Sequence, residues 1–161
     1  MAPSTTLSNS HSAQTLGGGA YLGFSADFLF WHHLGAEGEV GWRASQGIYF
    51  GDRPYRPIFY DFNAMYAPPL GKHAQLELLG GIGALSTRFY TPVYSCSYYN
   101  CTNYFSSNHF LGDVGVGIRL YPYKGFFVRP EFRQYFIHNN FEFSSAYASR
   151  AGVSIGYSFG R

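Results

Sequence analysis

The chain has 161 residues, of which 20% are aromatic and only 12% charged, with 20 glycines and a formal net charge of +2; a soluble domain carries about 25% charged residues, so half of the usual solubilising surface is missing. No stretch approaches the roughly 18 to 20 apolar residues of a transmembrane helix, and mean hydropathy is only −0.14. A helical membrane protein is excluded, and without a basic stripe nothing points to nucleic acid as a partner. What remains is one membrane β-barrel domain, in which alternation dilutes hydrophobicity to one residue in two.

Met1 to Thr15 is rich in Ser, Thr and Asn with Leu7 as its large apolar residue, and lacks the basic and apolar regions of a signal peptide. Export to an outer membrane would then require a precursor that begins further upstream. Residues 1–16 read as a polar N-terminal segment or outer loop, and residues 17–161 as the barrel.

From Ala20 to Trp31, Leu22, Phe24, Ala26, Phe28 and Phe30 share one face; Tyr21, Gly23, Ser25, Asp27 and Leu29 share the other. A turn at residues 32–35 follows, then Ala36, Gly38, Val40, Trp42 and Ala44 against Glu37, Glu39, Gly41, Arg43 and Ser45. Residues 45–57, with Gly47, Gly51, Asp52, Pro54 and Pro57, read as a long loop. The next strand sets Ile58, Tyr60, Phe62, Ala64 and Tyr66 against Phe59, Asp61, Asn63 and Met65, and residues 68–73 turn the chain back. Strand 74–88 sets Leu76, Leu78, Gly80, Ile82 and Ala84 against Gln75, Glu77, Gly81 and Gly83, with Leu79 and Leu85 as apolar exceptions on the second face.

The longest loop is expected at residues 89–108, with tyrosines around Cys96 and Cys101. Five residues apart and without further ligands at metal spacing, these cysteines fit a local disulfide in an oxidising compartment better than zinc. Asn100-Cys101-Thr102 matches a glycosylation sequon, a weak pattern that matters only where a secretory pathway reads it. Strand 110–121 then sets Val114, Val116, Ile118 and Leu120 against Asp113, Gly115, Gly117 and Arg119. After a turn at residues 122–125, strand 126–138 sets Val128, Pro130, Phe132 and Phe136 against Arg129, Glu131, Arg133 and Tyr135. A polar loop at residues 139–150 leads to the last strand, where Ala151, Val153, Ile155, Tyr157 and Phe159 oppose only Gly152, Ser154, Gly156 and Ser158.

The charges decide which face is inside. Asp27, Glu37, Glu39, Asp61, Glu77, Asp113 and Glu131 fall on the small or polar face, joined by Arg43, Arg119, Arg129 and Arg133, and none falls on the aromatic face. A soluble barrel would reverse this arrangement. Mixed charge within therefore argues for lipid outside, because buried ions persist when paired. An eight-stranded barrel is just wide enough for side chains to fill, so the interior is read as a plug of ion pairs, with Asp113 opposite or diagonal to Arg133. A narrow porin-like channel for water or small ions is the alternative.

Short and long connections alternate, as in bacterial barrels with short periplasmic turns and long outer loops. Seven strands are clear where an even number is expected. Either residues 3–14 form an irregular first strand, or the first strand lies upstream. The second is preferred, because crossing takes about nine residues and Leu7 is a poor anchor. The expectation is an antiparallel up-and-down transmembrane β-barrel of eight strands, its open edges satisfied by a missing N-terminal segment or by another chain.

The segments Glu39-Val40-Gly41-Trp42, Leu79-Gly80-Gly81, Arg129-Pro130-Glu131-Phe132 and Gly152-Val153-Ser154 with Tyr157-Ser158-Phe159-Gly160 give the chain its family likeness. In order and spacing it resembles the eight-stranded transmembrane domain of outer membrane protein A and its relatives, from about Gly17 to Arg161. The resemblance implies a Gram-negative outer-membrane location, contact with outer-membrane lipid and lipopolysaccharide, and insertion by the barrel-assembly machinery. Gly152, Ile155, Tyr157 and Phe159 would carry the assembly signal, although the chain does not end on an aromatic residue.

No enzyme, cofactor or metal site is expected. Small barrels that act on lipid use a His and a Ser at the outer rim, and His138 with Glu142, Ser144 and Ser145 offers those residue types without the His-x-Ser motif. His32-His33 would need two further metal ligands. The tyrosines around the cysteine pair suit partner binding, because Tyr gives large contact area at low entropic cost, but aromatic girdles are also ordinary at membrane interfaces.

Overall fold

Alternation of large apolar with small or polar residues builds strands with two dissimilar faces. A computed structural model describes residues 19–49, 53–96, 101–123, 125–138 and 146–159, and these form an all-β antiparallel sheet. Its strands are β1 (Tyr21–Trp31), β2 (Leu34–Arg43), β3 (Gly47–Tyr49), β4 (Arg53–Tyr66), β5 (Ala74–Cys96), β6 (Cys101–Tyr123), β7 (Phe126–Ile137) and β8 (Tyr147–Tyr157). The path through the sheet is β1-β2-β4-β5-β6-β7-β8, with β3 pairing only with β4. Seven long strands therefore make the wall, and β3 is a short appendage to it.

The short connections are tight. Trp31 pairs with Leu34 across a His32-His33 turn in which His32 takes φ 50°, and Tyr123 pairs with Phe126 across a turn in which Gly125 takes φ 79°. A Cβ on Gly125 would also sit 2.9 Å from the Tyr157 ring, so this position needs glycine for both conformation and space.

Two long loops expected from composition are partly strand. Residues 47–49 pair with residues 53–55, so β4 begins before Pro57 rather than after it. The β5–β6 ladder continues past Arg88 through Phe89↔Phe105 and Tyr90↔Tyr104 to Cys96↔Cys101, giving two strands of 23 residues. Their aromatic and β-branched residues favour a pleated ladder, and a hairpin can extend wherever it has its own partner. This hairpin stands beyond the neighbouring strands and marks one end of the barrel, opposite the end with the short turns.

The wall has one apolar and one polar face. Phe24 is 77% exposed, Phe62 64% and Ile155 74%, whereas Glu37 and Arg133 are fully buried. The sheet curls until side chains from its two halves meet inside: Arg119 of β6 reaches Asp27 of β1, and Arg150 of β8 reaches Glu39 of β2. Between β1 and β8, which have no strand partner on their outer edges among the described residues, lies a slot of about 600 Å³. Ser25 and Asp27 line one side of it, Ser154 and Gly156 the other, and Arg119 and Phe127 also border it.

Candidate functional site

Alternation along β2, β4, β5, β6, β7 and β8 projects every second side chain into a narrow lumen, and there the charged residues meet. Arg119 donates to Asp27 Oδ2 at 2.6 Å and pairs with Glu77. Arg129 bonds Glu37 Oε2 at 2.5 Å and Glu77 Oε2 at 3.2 Å, and it also reaches Glu131, Ser25 and Ser154. Arg133 is paired with Glu37, with Glu39 at 2.8 Å, Asp61 at 3.3 Å, Glu131 at 3.5 Å and Asp113 at 3.8 Å. Arg133 faces Gly115 in the register, and Asp113 faces Tyr135, so Asp113 and Arg133 are diagonal neighbours. Asn63 donates to Asp61 at 2.9 Å.

The glycines of β5 make room for this layer. A Cβ on Gly81 would lie 2.2 Å from the Asn63 amide oxygen, and one on Gly83 would lie 2.0 Å from the Tyr60 carbonyl and 2.8 Å from Asp61 Cα. Gly115 and Gly117 of β6 likewise leave space beside the stems of Arg133 and Arg129. Placing glycine opposite bulky charged residues is what lets a lumen this narrow hold them.

Two groups depart from the expected interior. Arg150 is buried and pairs with Glu39 and with Glu131 at 3.1 Å, so it belongs to the network although its place in the sequence is the end of the polar stretch at residues 139–150. It shares a face with Gly152 and Ser154, and extending the alternation of β8 by one step finds it. Arg43 lies apart, its guanidinium 3.5 Å from the Tyr55 hydroxyl and 5.8 Å from that ring.

Above the ions, toward the hairpin end, the lumen is apolar. Tyr21, Tyr55, Phe59, Leu85, Phe89, Leu111, Tyr135, Ile137 and Ala148 form one buried cluster, with Phe59 and Tyr135 ring centroids 5.0 Å apart. Arg150 lies 5.7 Å from the Tyr135 ring, where the two regions meet. At the short-turn end, Arg119 stacks 4.3 Å over Phe127, and Met65, Ala67 and Leu79 make a second buried cluster.

Glu37, Glu39 and Asp61 bring carboxylate oxygens within 4.8 Å of one another, the nearest approach to a metal-ligand set among the described residues. Arg133 pairs with all three. A guanidinium already neutralises the place a cation would take.

The remaining residues singled out in the sequence lie elsewhere. Cys96 and Cys101 face each other at the tip of the β5–β6 ladder, but their side chains are outside the described residues. Residues 1–16, Asn100, Glu142, Ser144 and Ser145 also fall outside them, and His138 is an exposed residue after β7 whose backbone N–H bonds Phe110 O. On the last strand Gly152 is buried, while Ile155, Tyr157 and Phe159 are exposed.

No family model matches the chain, and no curated protein is similar to it in sequence. Among solved structures it is similar to that of Ail, the attachment invasion locus protein of Yersinia pestis, with 14% identity, a TM-score of 0.58 and coverage of 97% of this chain and 91% of that one. A structure of Ail in complex with the heparin analogue sucrose octasulfate gives 14% identity, a TM-score of 0.60 and coverage of 97% and 92%. The chain is thus similar in fold, over nearly its whole length, to Ail, and at this identity the likeness is one of fold alone.

Proposed function

We propose that the chain is a non-enzymatic barrel of the bacterial outer membrane, of the kind seen in outer membrane protein A, whose plugged interior makes it a rigid stand for outer loops. The observation that carries this reading is the filled lumen. Arg119, Arg129, Arg133 and Arg150 occupy one part of it and the Phe59–Tyr135 cluster the rest, so the wall encloses structure rather than a path. The exposed aromatic and aliphatic belt supports lipid as the outer solvent.

The β5–β6 hairpin is then the partner-binding element. It projects beyond the wall and carries Tyr104 and Phe105 exposed, and the Ail comparison supports attachment as its role. Cys96 and Cys101 would close its tip, since directly opposed residues of antiparallel strands lie about 4.5 to 5.5 Å apart at Cα, within the range a disulfide spans. Alkylation with and without reductant reads that bond directly: labelling only after reduction is the expected result.

The open slot supports a further partner. β1 and β8 are separated by an even number of antiparallel steps and so run in the same direction; direct pairing would be parallel. An additional strand from another polypeptide segment, antiparallel to both, completes an up-and-down wall, as open edges in lipid are prohibitive. Amide exchange at β1 and β8 that falls when such a segment is supplied tests this.

Planar-bilayer conductance tests the function. The plugged barrel predicts no steady openings, whereas openings that change with Arg133 or Glu131 substitution would establish the narrow channel instead. Release of fatty acid from lipid A, lost on His138→Ala, would overturn the non-enzymatic reading.

A further inference from the structure

On three adjacent strands the outward face changes from apolar to hydrogen-bond donor at one level. On β4, Phe62, Tyr60 and Ile58 are followed by Arg56; on β5, Ile82 and Ala84 by Ser86 and Arg88; on β6, Phe110 by Asn108 and Ser106. The register aligns these steps: Ile58 faces Ser86 and Arg56 faces Arg88 across one ladder, while Ser86 faces Asn108 and Arg88 faces Ser106 across the next. The intervening Tyr55, Thr87 and Phe89 are buried in the lumen, so the two arginines lie on the outside of the wall.

Two like charges directly opposite one another on neighbouring strands repel. Among the described residues no carboxylate relieves this pair, because each of them faces the lumen or the slot beside it. Arg56 Nε is buried without a hydrogen-bond partner, and the Arg88 guanidinium carbon lies 5.0 Å from the centroid of the Tyr104 ring, which holds it on the outer face beside Arg56. A membrane strand crosses in about 9 to 11 residues. Arg56 lies that distance along β4 from exposed Tyr66, at the depth of the headgroups on the hairpin side.

We propose that Arg56 and Arg88 form a binding site for a phosphate group of a membrane lipid headgroup, flanked by Ser86, Ser106 and Asn108 as neutral donors. A phosphate between the two guanidiniums cancels their repulsion and accepts from both in the forked geometry that arginine offers. The site rests on the reading that the apolar belt faces lipid, and it adds the headgroup chemistry that would be held at the rim of that belt.

The full chain is reconstituted in phosphatidylcholine nanodiscs containing a minor fraction of diphosphorylated lipid A, of phosphatidylglycerol, or of neither, and co-purifying lipid is measured by native mass spectrometry. The expected result is retention of the phosphorylated lipids over phosphatidylcholine, weakened about tenfold or more in Arg56→Gln/Arg88→Gln through loss of charge-assisted hydrogen bonds and recovered only in part in Arg56→Lys/Arg88→Lys, which keeps the charge without the fork. Unchanged retention in the Gln variant overturns the proposal. So does complete displacement by inorganic phosphate or by a soluble polysulfated sugar, which would make this a site for a free anion or a glycan. Heat-dependent migration of each variant on SDS gels shows whether it has inserted. An inserted barrel indifferent to anionic lipid refutes the site alone, whereas failure of the parent chain to insert refutes the membrane reading beneath it.

Discussion

The two parts of the lumen are filled by opposite chemistries to the same end. Toward the short turns, Arg119, Arg129, Arg133 and Arg150 meet Asp27, Glu37, Glu39, Asp61, Glu77, Asp113 and Glu131; toward the hairpin, Tyr21, Phe59, Leu85, Leu111 and Tyr135 pack on one another, with Arg150 over the Tyr135 ring where the two parts meet. The ionic part holds because each guanidinium bridges several carboxylates from different strands, so it ties the wall across the lumen. The apolar part holds by packing and tolerates truncation in proportion to the volume lost. A filled cylinder therefore needs no single kind of interior, only that buried ions be shared and buried rings be close.

The largest expected effects fall where a bridge is cut. Arg133→Ala leaves Glu37, Glu39 and Asp61 without their shared cation and should cost about 3 to 5 kcal/mol, as breaking a buried pair does; equilibrium unfolding in detergent or lipid measures it, and unchanged stability would show that the network does not brace the wall. Phe59→Ala in the apolar part should cost a comparable 3 to 5 kcal/mol or so by cavity formation. Combining the two measures how the parts are coupled: Tyr135 packs on Phe59 and lies two residues from Arg133 on β7, so the double variant should depart from the sum of the single losses, as neighbouring sites do. Gly83→Val forces a side chain against the Tyr60 carbonyl and Asp61, for a loss of about 1 to 3 kcal/mol.

Tyr135→Phe should have the smallest effect and the opposite sign. The buried Tyr135 hydroxyl has no hydrogen-bond partner while its ring packs on Phe59. Removing the oxygen is therefore expected to leave stability equal or slightly raised, since an unsatisfied buried group carries a desolvation penalty. A marked loss would mean that the hydroxyl belongs to the ionic part.

Much of this arrangement was legible in the sequence because a period of two reports only which face a residue shares. It separated Glu39 from Val40 and Asp113 from Val114, and it marked Leu79 and Leu85 as inward apolar residues. It also hinted at the plug, since Phe59, Met65 and Tyr135 share the face of the charged residues. What it could not give was height along the barrel, which depends on strand register; so Arg43 was grouped with the central ions although its place is beside Tyr55. Arg150 was missed because it was read as the end of a loop, and residues 89–108 because Tyr and Ser clusters suit both loops and exposed ladders. Register beyond a turn is set by cross-strand partners, and these are invisible in a single segment.

Everything above depends on which way the wall faces: lipid touches Phe62, Val116 and Ile155, while the neighbouring Asp61, Gly117 and Ser154 face inward. Nitroxide labels placed one at a time at these six positions in the vesicle-reconstituted chain, with relaxation by dissolved oxygen and by a water-soluble nickel chelate, measure it. Strong oxygen and weak nickel relaxation is expected at Phe62, Val116 and Ile155, and the reverse ranking or protection from both at Asp61, Gly117 and Ser154. High nickel accessibility at Phe62 and Val116 would contradict it.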